Sequence, residues 1–312
     1  MGLDAEAQGL FLEIFGRLLT LCLIIWHKNK HLPVKVKCLT LAGALFNCNK
    51  NAGGCLVEKI LVTILGSGTC VPRAGRSSSS IMVRVADCLI LLDTGPGTLL
   101  RMAQAGESIN SVTHLFYSHL HIDHTADLAP FLFAVKYGGF HETKKPFTAL
   151  GGRGFADFYK NLQGVYGDWL TLRPGLMSID ELDIDGPDKR HFEGFDLFSL
   201  PVNHTPQSVG FRLEAFGKSL VCSGDTAPCP ELSSLARDCD LFICEAAMPD
   251  NAPTDNHMTP SQAGRAASQA GAKRLVLTHI YPETDATDIV ADCRKTFDGP
   301  LEVARDLMRL EV

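Results

Sequence analysis

The segment Ser118-His-Leu-His-Ile-Asp-His124 packs three imidazoles and a carboxylate into six residues, immediately behind the apolar run Val112–Tyr117. These groups can act together only where a strand ends and the chain turns, so the run constrains the fold around it. In extended backbone, side chains two apart project to the same face, which aims His119 and His121 one way. Asp123 and His124 follow where the chain turns toward a helix, and they face a second point. Imidazole nitrogen and carboxylate oxygen are the ligands zinc accepts at open, catalytic sites. A lone histidine usually caps, packs or faces water, but three with an acid in one short turn mark a metal site. A site beyond the carboxyl end of a strand is also the general habit of α/β chains.

The remainder of the chain is patterned to supply such a frame. From Lys59 onward, short apolar runs predict strands over residues 60–65, 80–85, 88–92, 112–117, 146–150, 195–202, 219–222, 241–244 and 274–278. A final strand is expected within residues 301–312. Helical patterns open at Thr94-Gly-Pro-Gly97 and cover residues 125–137, 154–166 and 259–270. Strands in consecutive runs, separated by helices, predict paired sheets with helices outside: a four-layer αββα sandwich of the α/β class. At 312 residues the chain can bury a large core.

Composition narrows the setting. The formal net charge of −6 gives no general attraction to nucleic acid or anionic lipid, so a nucleic-acid partner would need a local basic patch. Eleven cysteines, scattered singly and never as C-x-x-C, fit a reduced cytoplasmic chain better than a disulfide framework. Residues 1–56 read differently from the rest. Their apolar run Leu18–Trp26 is shorter than the ~20 residues that span a bilayer. It also lacks the basic start and small-residue cleavage site of a secretory signal. An extension outside the catalytic unit, or an early start ahead of Val57, is expected there, with a catalytic domain over residues 57–312 and no membrane partner.

H-x-H-x-D-H behind a strand resembles the signature of the metallo-β-lactamase superfamily. Leu65-Gly-Ser-Gly-Thr69, Leu92-Asp-Thr-Gly95, Ser223-Gly-Asp-Thr226, Cys244-Glu-Ala246, His257-Met-Thr259 and Leu277-Thr-His279 resemble motifs of its ribonuclease Z-like branch. The similarity runs from about Lys59 to Pro282. It implies the metallo-β-lactamase αββα fold and a metal-dependent hydrolase of phosphodiesterase type. It further implies two zinc ions. His119, His121 and His204 would hold one, Asp123, His124 and His279 the other, and Asp225 would bridge them. By the same likeness, His257 gives a proton to the leaving oxygen and Glu245 orients it. Asp123 would also orient the attacking hydroxide shared between the ions. Relatives of this kind often pair, so the resemblance admits a homodimer.

Two stretches differ from the ribonuclease Z pattern. The turn after Asp93 reads Thr-Gly-Pro-Gly-Thr, and residues 151–195 are short and poor in clustered Lys and Arg for an arm that grips transfer RNA. The implied substrate is therefore a phosphodiester, small or derived from nucleic acid. The same hydroxide would also serve carboxylic, lactone, thioester or sulfate esters. A non-hydrolytic di-iron redox or sensor protein is the further alternative, and His121, where such relatives place glutamate, argues for zinc. His114, His141 and His191 complete no ligand pattern. Lys144-Lys145 is expected to be a solvated turn, and Gly66-Ser-Gly68 a tight turn.

Overall fold

The computed structural model describes residues 59–312, so the expected extension over residues 1–56 lies outside the described residues. Six strands come first: β1 (Leu61–Gly66), β2 (Ser80–Val85), β3 (Cys88–Leu92), β4 (His114–Tyr117), β5 (Phe147–Gly152) and β6 (Met177–Leu182). Seven more follow: β7 (Asp188–Phe192), β8 (Phe195–Pro201), β9 (Val209–Ala215), β10 (Lys218–Cys222), β11 (Leu241–Glu245), β12 (Leu275–Thr278) and β13 (Leu301–Val303). The last strand, β14 (Met308–Glu311), returns to the first set. Two seven-stranded sheets result, ordered β14-β1-β2-β3-β4-β5-β6 and β13-β12-β11-β10-β9-β8-β7. Each is antiparallel at one side and parallel at the other, with the change of direction at β3–β4 and at β10–β11.

Period-two alternation decides the layers. In β11, Leu241 and Ile243 enter the core between the sheets, whereas Phe242 and Cys244 enter the outer layer. In β4, Phe116 faces inward while Leu115 and Tyr117 face outward. Helices α1 (Thr98–Gln104), α2 (Ile122–Thr125), α3 (Leu128–Tyr137) and α4 (Phe155–Tyr166) follow strands of the first sheet. Met102, Leu128, Phe131, Leu132 and Phe155 from this group cover its outer face. Helices α5 (Pro230–Leu235), α6 (Pro260–Ala270), α7 (Pro282–Asp285) and α8 (Ile289–Arg294) follow strands of the second sheet, where Leu232, Leu235, Ala263, Ala267 and Cys293 bury against it. The fold is thus the expected αββα sandwich. Local signals set the helix ends where they are strong. Thr259 and Gln262 form a capping box with Pro260 in the first turn, and α6 stops at Gly271 with φ +68°.

The structure corrects four details of the sequence reading. The ladder of β4 begins at His114 rather than Val112. The tail is two strands in different sheets, reversed through Leu307 at φ +64°. Strands β6, β7 and β9 had no predicted counterpart: β6 and β7 are edge strands whose faces stay half exposed and carry charge, whereas β9 is an interior strand that alternates buried Phe211, Leu213 and Ala215 with half-buried Arg212 and Glu214. Lys144 is buried rather than solvated. Its Nζ donates to the carbonyls of Ile109, Asn110 and Val112 at 3.1, 3.2 and 2.7 Å, and burial pulls its pKa down to about 8. Lys145 remains exposed. Among the described residues, no helix is long and apolar enough to cross a membrane.

Candidate metal centre

Parallel pairing within β3–β4 and within β10–β11–β12 brings each group's carboxyl ends side by side. Asp93 follows β3, the cluster 119–124 follows β4, Asp225 follows β10, Glu245 ends β11 and His279 follows β12. His204 sits three residues past β8, where Asn203 N donates to Thr226 Oγ1 and an isolated bridge joins Asn203 to Ala227. Val209 N donates to Ser118 O at 2.9 Å, tying the two sheets together at this edge. Such tight convergence bends the backbone. Asp93 and His279, neither of them glycine, adopt φ of +60° and +56°, a cost of the kind that collects at functional sites. At Gly95, a Cβ would stand 2.0 Å from the Asp123 carbonyl oxygen, so only glycine allows that approach.

All seven candidate ligands gather. Ligand atoms of His119, His121, His204 and Asp225 lie within 4.8 Å of one another, and so do those of Asp123, His124 and His279. Asp225 Oδ2 is central to both sets, at 3.8 Å from His119 Nε2, 3.2 Å from His124 Nε2, 3.9 Å from His204 Nε2 and 3.4 Å from His279 Nε2. His279 Nε2 stands 3.5 Å from Asp123 Oδ2, and His204 Nε2 stands 3.2 Å from His121 Nδ1. Zinc bonds of ~2.0–2.2 Å in a tetrahedral set would leave ligand atoms roughly 3.3–3.6 Å apart, which these spacings bracket. The fit has a second support in hydrogen bonding. Among the described residues, six buried side-chain nitrogen or oxygen atoms lack a partner, and four are His119 Nε2, His124 Nε2 and both ring nitrogens of His279. Buried polar atoms are rarely left so, and the Nε2 atoms of these three rings, 3.2 to 3.8 Å from Asp225 Oδ2, are placed to receive a cation.

Electrostatics agree. Burial, and then His124, press the His119 imidazole down to about 2, so it stays neutral and able to ligate. Burial and His204 likewise lower His121. Burial raises the carboxyls of Asp123 and Asp225, but neighbouring imidazoles outweigh it. His279 leads at Asp123, bringing it to about 2, and His124 leads at Asp225, which falls well below the carboxylate range. His124 is the exception among the imidazoles. Burial opposes its charge, yet Asp225 and Asp93 hold its pKa well above the ordinary value. A position that draws a proton so strongly favours positive charge of any kind.

Outer contacts hold the rings. Asp93 Oδ2 accepts from His124 Nδ1 at 2.7 Å, and the Asp93 carboxylate also accepts from Ser118 N and Ser118 Oγ at 2.7 Å each. Asn256 O accepts from His204 Nδ1 at 2.9 Å. The Glu245 carboxylate is fully buried and takes four donors: Thr226 N, His257 Nδ1, Ala247 N and Met258 N, at 2.7 to 3.1 Å. Burial lowers the His257 pKa, but the Glu245 bond and charge reverse this and raise it. His257 also lies near enough to Asp225 and His279 for its ligand atom to fall within 4.8 Å of theirs. Sequence reasoning assigned no role to Asp93 or Tyr281. For Asp93 the signal was Leu92-Asp-Thr-Gly95; for Tyr281 there was none. The Tyr281 ring lies 6.2 Å from the His257 ring and 6.0 Å from the His279 ring. His114, His141 and His191 stand in other settings, among phenylalanines, beside Arg173 and beside Asp196.

The family model described as "Beta-lactamase superfamily domain" matches residues 89–280. The chain is similar to the Ribonuclease Z of Mycolicibacterium gilvum (strain PYR-GCK), 30% identical over 275 residues that cover 81% of this chain and 96% of that one. Its fold is similar to that of the metallo-beta-lactamase fold protein YhfI from Bacillus subtilis, with TM-score 0.71 and 21% identity over 82% of this chain and 100% of that one. It is similar as well to the short form of human tRNase Z, with TM-score 0.65 and 24% identity over 80% and 98% of the two chains.

Proposed function

The chain belongs to the metallo-β-lactamase superfamily, in its ribonuclease Z-like branch, as a metal-dependent hydrolase of phosphodiesterase type, and from that premise we propose that it is a dinuclear zinc enzyme that cleaves phosphodiesters. His119, His121 and His204 would hold one ion and Asp123, His124 and His279 the other, with Asp225 between them. When bound, such a pair supplies an activated water and neutralises negative charge growing on oxygen. The observation that carries this reading is the position of the Asp225 Oδ2 atom, 3.2 to 3.9 Å from four imidazole nitrogens drawn from both sets.

The protein's own groups do the rest. Asp123, held ionised, orients the attacking water toward phosphorus. As the new P–O bond forms, the opposite P–O bond breaks and the departing oxygen needs a proton. His257 carries one on the ring nitrogen that faces the site, because Glu245 engages its Nδ1 and raises its pKa. Glu245 therefore acts through His257 rather than on the substrate. Similarity to Ribonuclease Z makes an RNA phosphodiester the first substrate to try, although the net charge of −6 does not favour long nucleic acid. We assign the catalytic unit to residues 57–312 and the chain to the cytoplasm, the latter because the seven cysteines among the described residues all carry free thiols.

The test is elemental analysis of the purified chain, followed by turnover of bis(p-nitrophenyl) phosphate beside an aryl sulfate and a lactone. Two zinc per chain, diesterase activity and its loss in His121→Ala are expected. Full activity in His121→Ala, or iron with a visible absorption band, would overturn the zinc mechanism. Faster turnover of the lactone or sulfate would reassign the substrate.

A further inference from the structure

Tyr281 stands beside the centre, packed against two of its histidines. It lies two residues past His279, and its ring is edge-on to both His257 and His279, at 64° and 82°. The ring is only half-buried. Its Oη meets Cys70 Sγ at 3.3 Å, and Cys70 itself is exposed. The backbone on either side is tied down. Ile280 N donates to Ser67 O, Tyr281 N donates to Ala247 O, and Asp285 N donates to Tyr281 O. A loop over residues 67–76 grips α7 from the other side, where Arg73 and Arg76 both reach the Asp285 carboxylate, at 2.7 and 2.9 Å. Arg76 also donates to Ser67 Oγ and to Ala304 O. Loop 67–76 and α7 thus hold one phenol between an exposed thiol and two histidines of the centre.

On the phosphodiesterase reading above, we propose that Tyr281 is a catalytic residue whose Oη donates a hydrogen bond to a non-bridging oxygen of the phosphoryl group beside His257. A phenol is a donor at neutral pH, with an ordinary pKa of ~10. Either group can donate in the Cys70–Tyr281 contact; when the thiol donates to Oη, the phenol proton is free to point at the substrate. No proton or electron pair moves. The hydrogen bond shortens as negative charge accumulates on that oxygen, so it acts more on the transition state than on the bound substrate.

The experiment is steady-state kinetics of the full-length, zinc-loaded chain on bis(p-nitrophenyl) phosphate, comparing wild type, Tyr281→Phe, Cys70→Ser and His121→Ala. The proposal expects kcat of Tyr281→Phe to fall about 100-fold, as for loss of one pre-aimed donor, with KM within about threefold. Zinc content and melting temperature should equal those of wild type, and Cys70→Ser, which retains a donor, should keep most of the rate. Wild-type kcat in Tyr281→Phe, or a fall accompanied by loss of zinc, would overturn the proposal by making the phenol dispensable or merely structural. An active wild type with an inactive His121→Ala beside an unimpaired Tyr281→Phe defeats the tyrosine proposal alone. A wild type that turns over no diester defeats the underlying reading and the tyrosine proposal with it.

Discussion

Replacing Asp93 by asparagine changes one functional group beneath the centre and leaves its volume nearly untouched. In the native arrangement Oδ1 accepts from Ser118 N, and Oδ2 accepts from Ser118 Oγ and His124 Nδ1, all at 2.7 Å. An amide can match only part of this. With its oxygen toward Ser118 N, its NH2 meets the His124 Nδ1–H donor to donor. Flipped, the NH2 meets the backbone N–H of Ser118 instead. His124 escapes by moving its proton to Nε2 or by turning its ring, and either course withdraws the lone pair aimed at the centre. Loss of one hydrogen bond to a charged group amounts to about 1.5–3 kcal/mol. At ~1.4 kcal/mol per factor of ten, that is roughly 10- to 100-fold weaker zinc binding, the range seen when outer partners of metal ligands are removed. Competition against a chromophoric zinc chelator measures it directly, with melting of the metal-free protein as the control for scaffold damage. Unchanged zinc affinity in Asp93→Asn would refute the reasoning, because no amide orientation serves both neighbours.

Two other outcomes follow from the same geometry. His257→Ala should slow cleavage of an RNA dinucleotide, whose alkoxide leaving group needs a proton, by ~10²- to 10⁴-fold, while bis(p-nitrophenyl) phosphate, which expels a stable phenolate, loses far less; equal losses on the two would remove His257 from the acid role. Because Glu245 raises the His257 pKa, the dinucleotide rate should fall as pH climbs through a value above the ordinary ~6.5, and Glu245→Gln should shift that limb to lower pH. Lys144 tests the buried ammonium. Its folded pKa of about 8 lies below the ordinary 10.5, so between those values the unfolded chain binds more protons and stability rises with pH. Urea unfolding should therefore show the stability of wild type relative to Lys144→Met increasing by up to about 3 kcal/mol across that window, and a flat or falling difference would contradict the assigned environment.

Most elements with a buried face were legible from sequence, although β9, with Val209, Phe211, Leu213 and Ala215 in the core, was passed over. Strands such as 60–65, 88–92 and 241–244 carry apolar side chains on both faces, because the sheet is covered on both sides. Strand β7, Asp-Lys-Arg-His-Phe, lies at a sheet edge and is held by ladder bonds to β8 rather than by burial, so hydrophobic patterning passes over it. The reversal between β13 and β14 was equally silent, since a continuous alternation does not say which sheet each half joins.

The cluster at residues 119–124 could be read from the chain alone because its four ligands are local. Their spacing is a property of a few backbone dihedrals. His204, Asp225 and His279 were found as residues that each follow an apolar strand, and the resemblance supplied their shared purpose. Bringing them within 4 Å of one oxygen is a tertiary matter, decided by the register of β10, β11 and β12 and by contacts such as Val209 N to Ser118 O. Asp93, Lys144 and Tyr281 depend on it still more. A carboxylate under a histidine, an ammonium on three carbonyls and a phenol between a thiol and two imidazoles join segments up to 211 residues apart. Residue type and spacing determine which groups a chain offers. Only packing, which sets distance, burial and the direction of each lone pair, decides which of them meet.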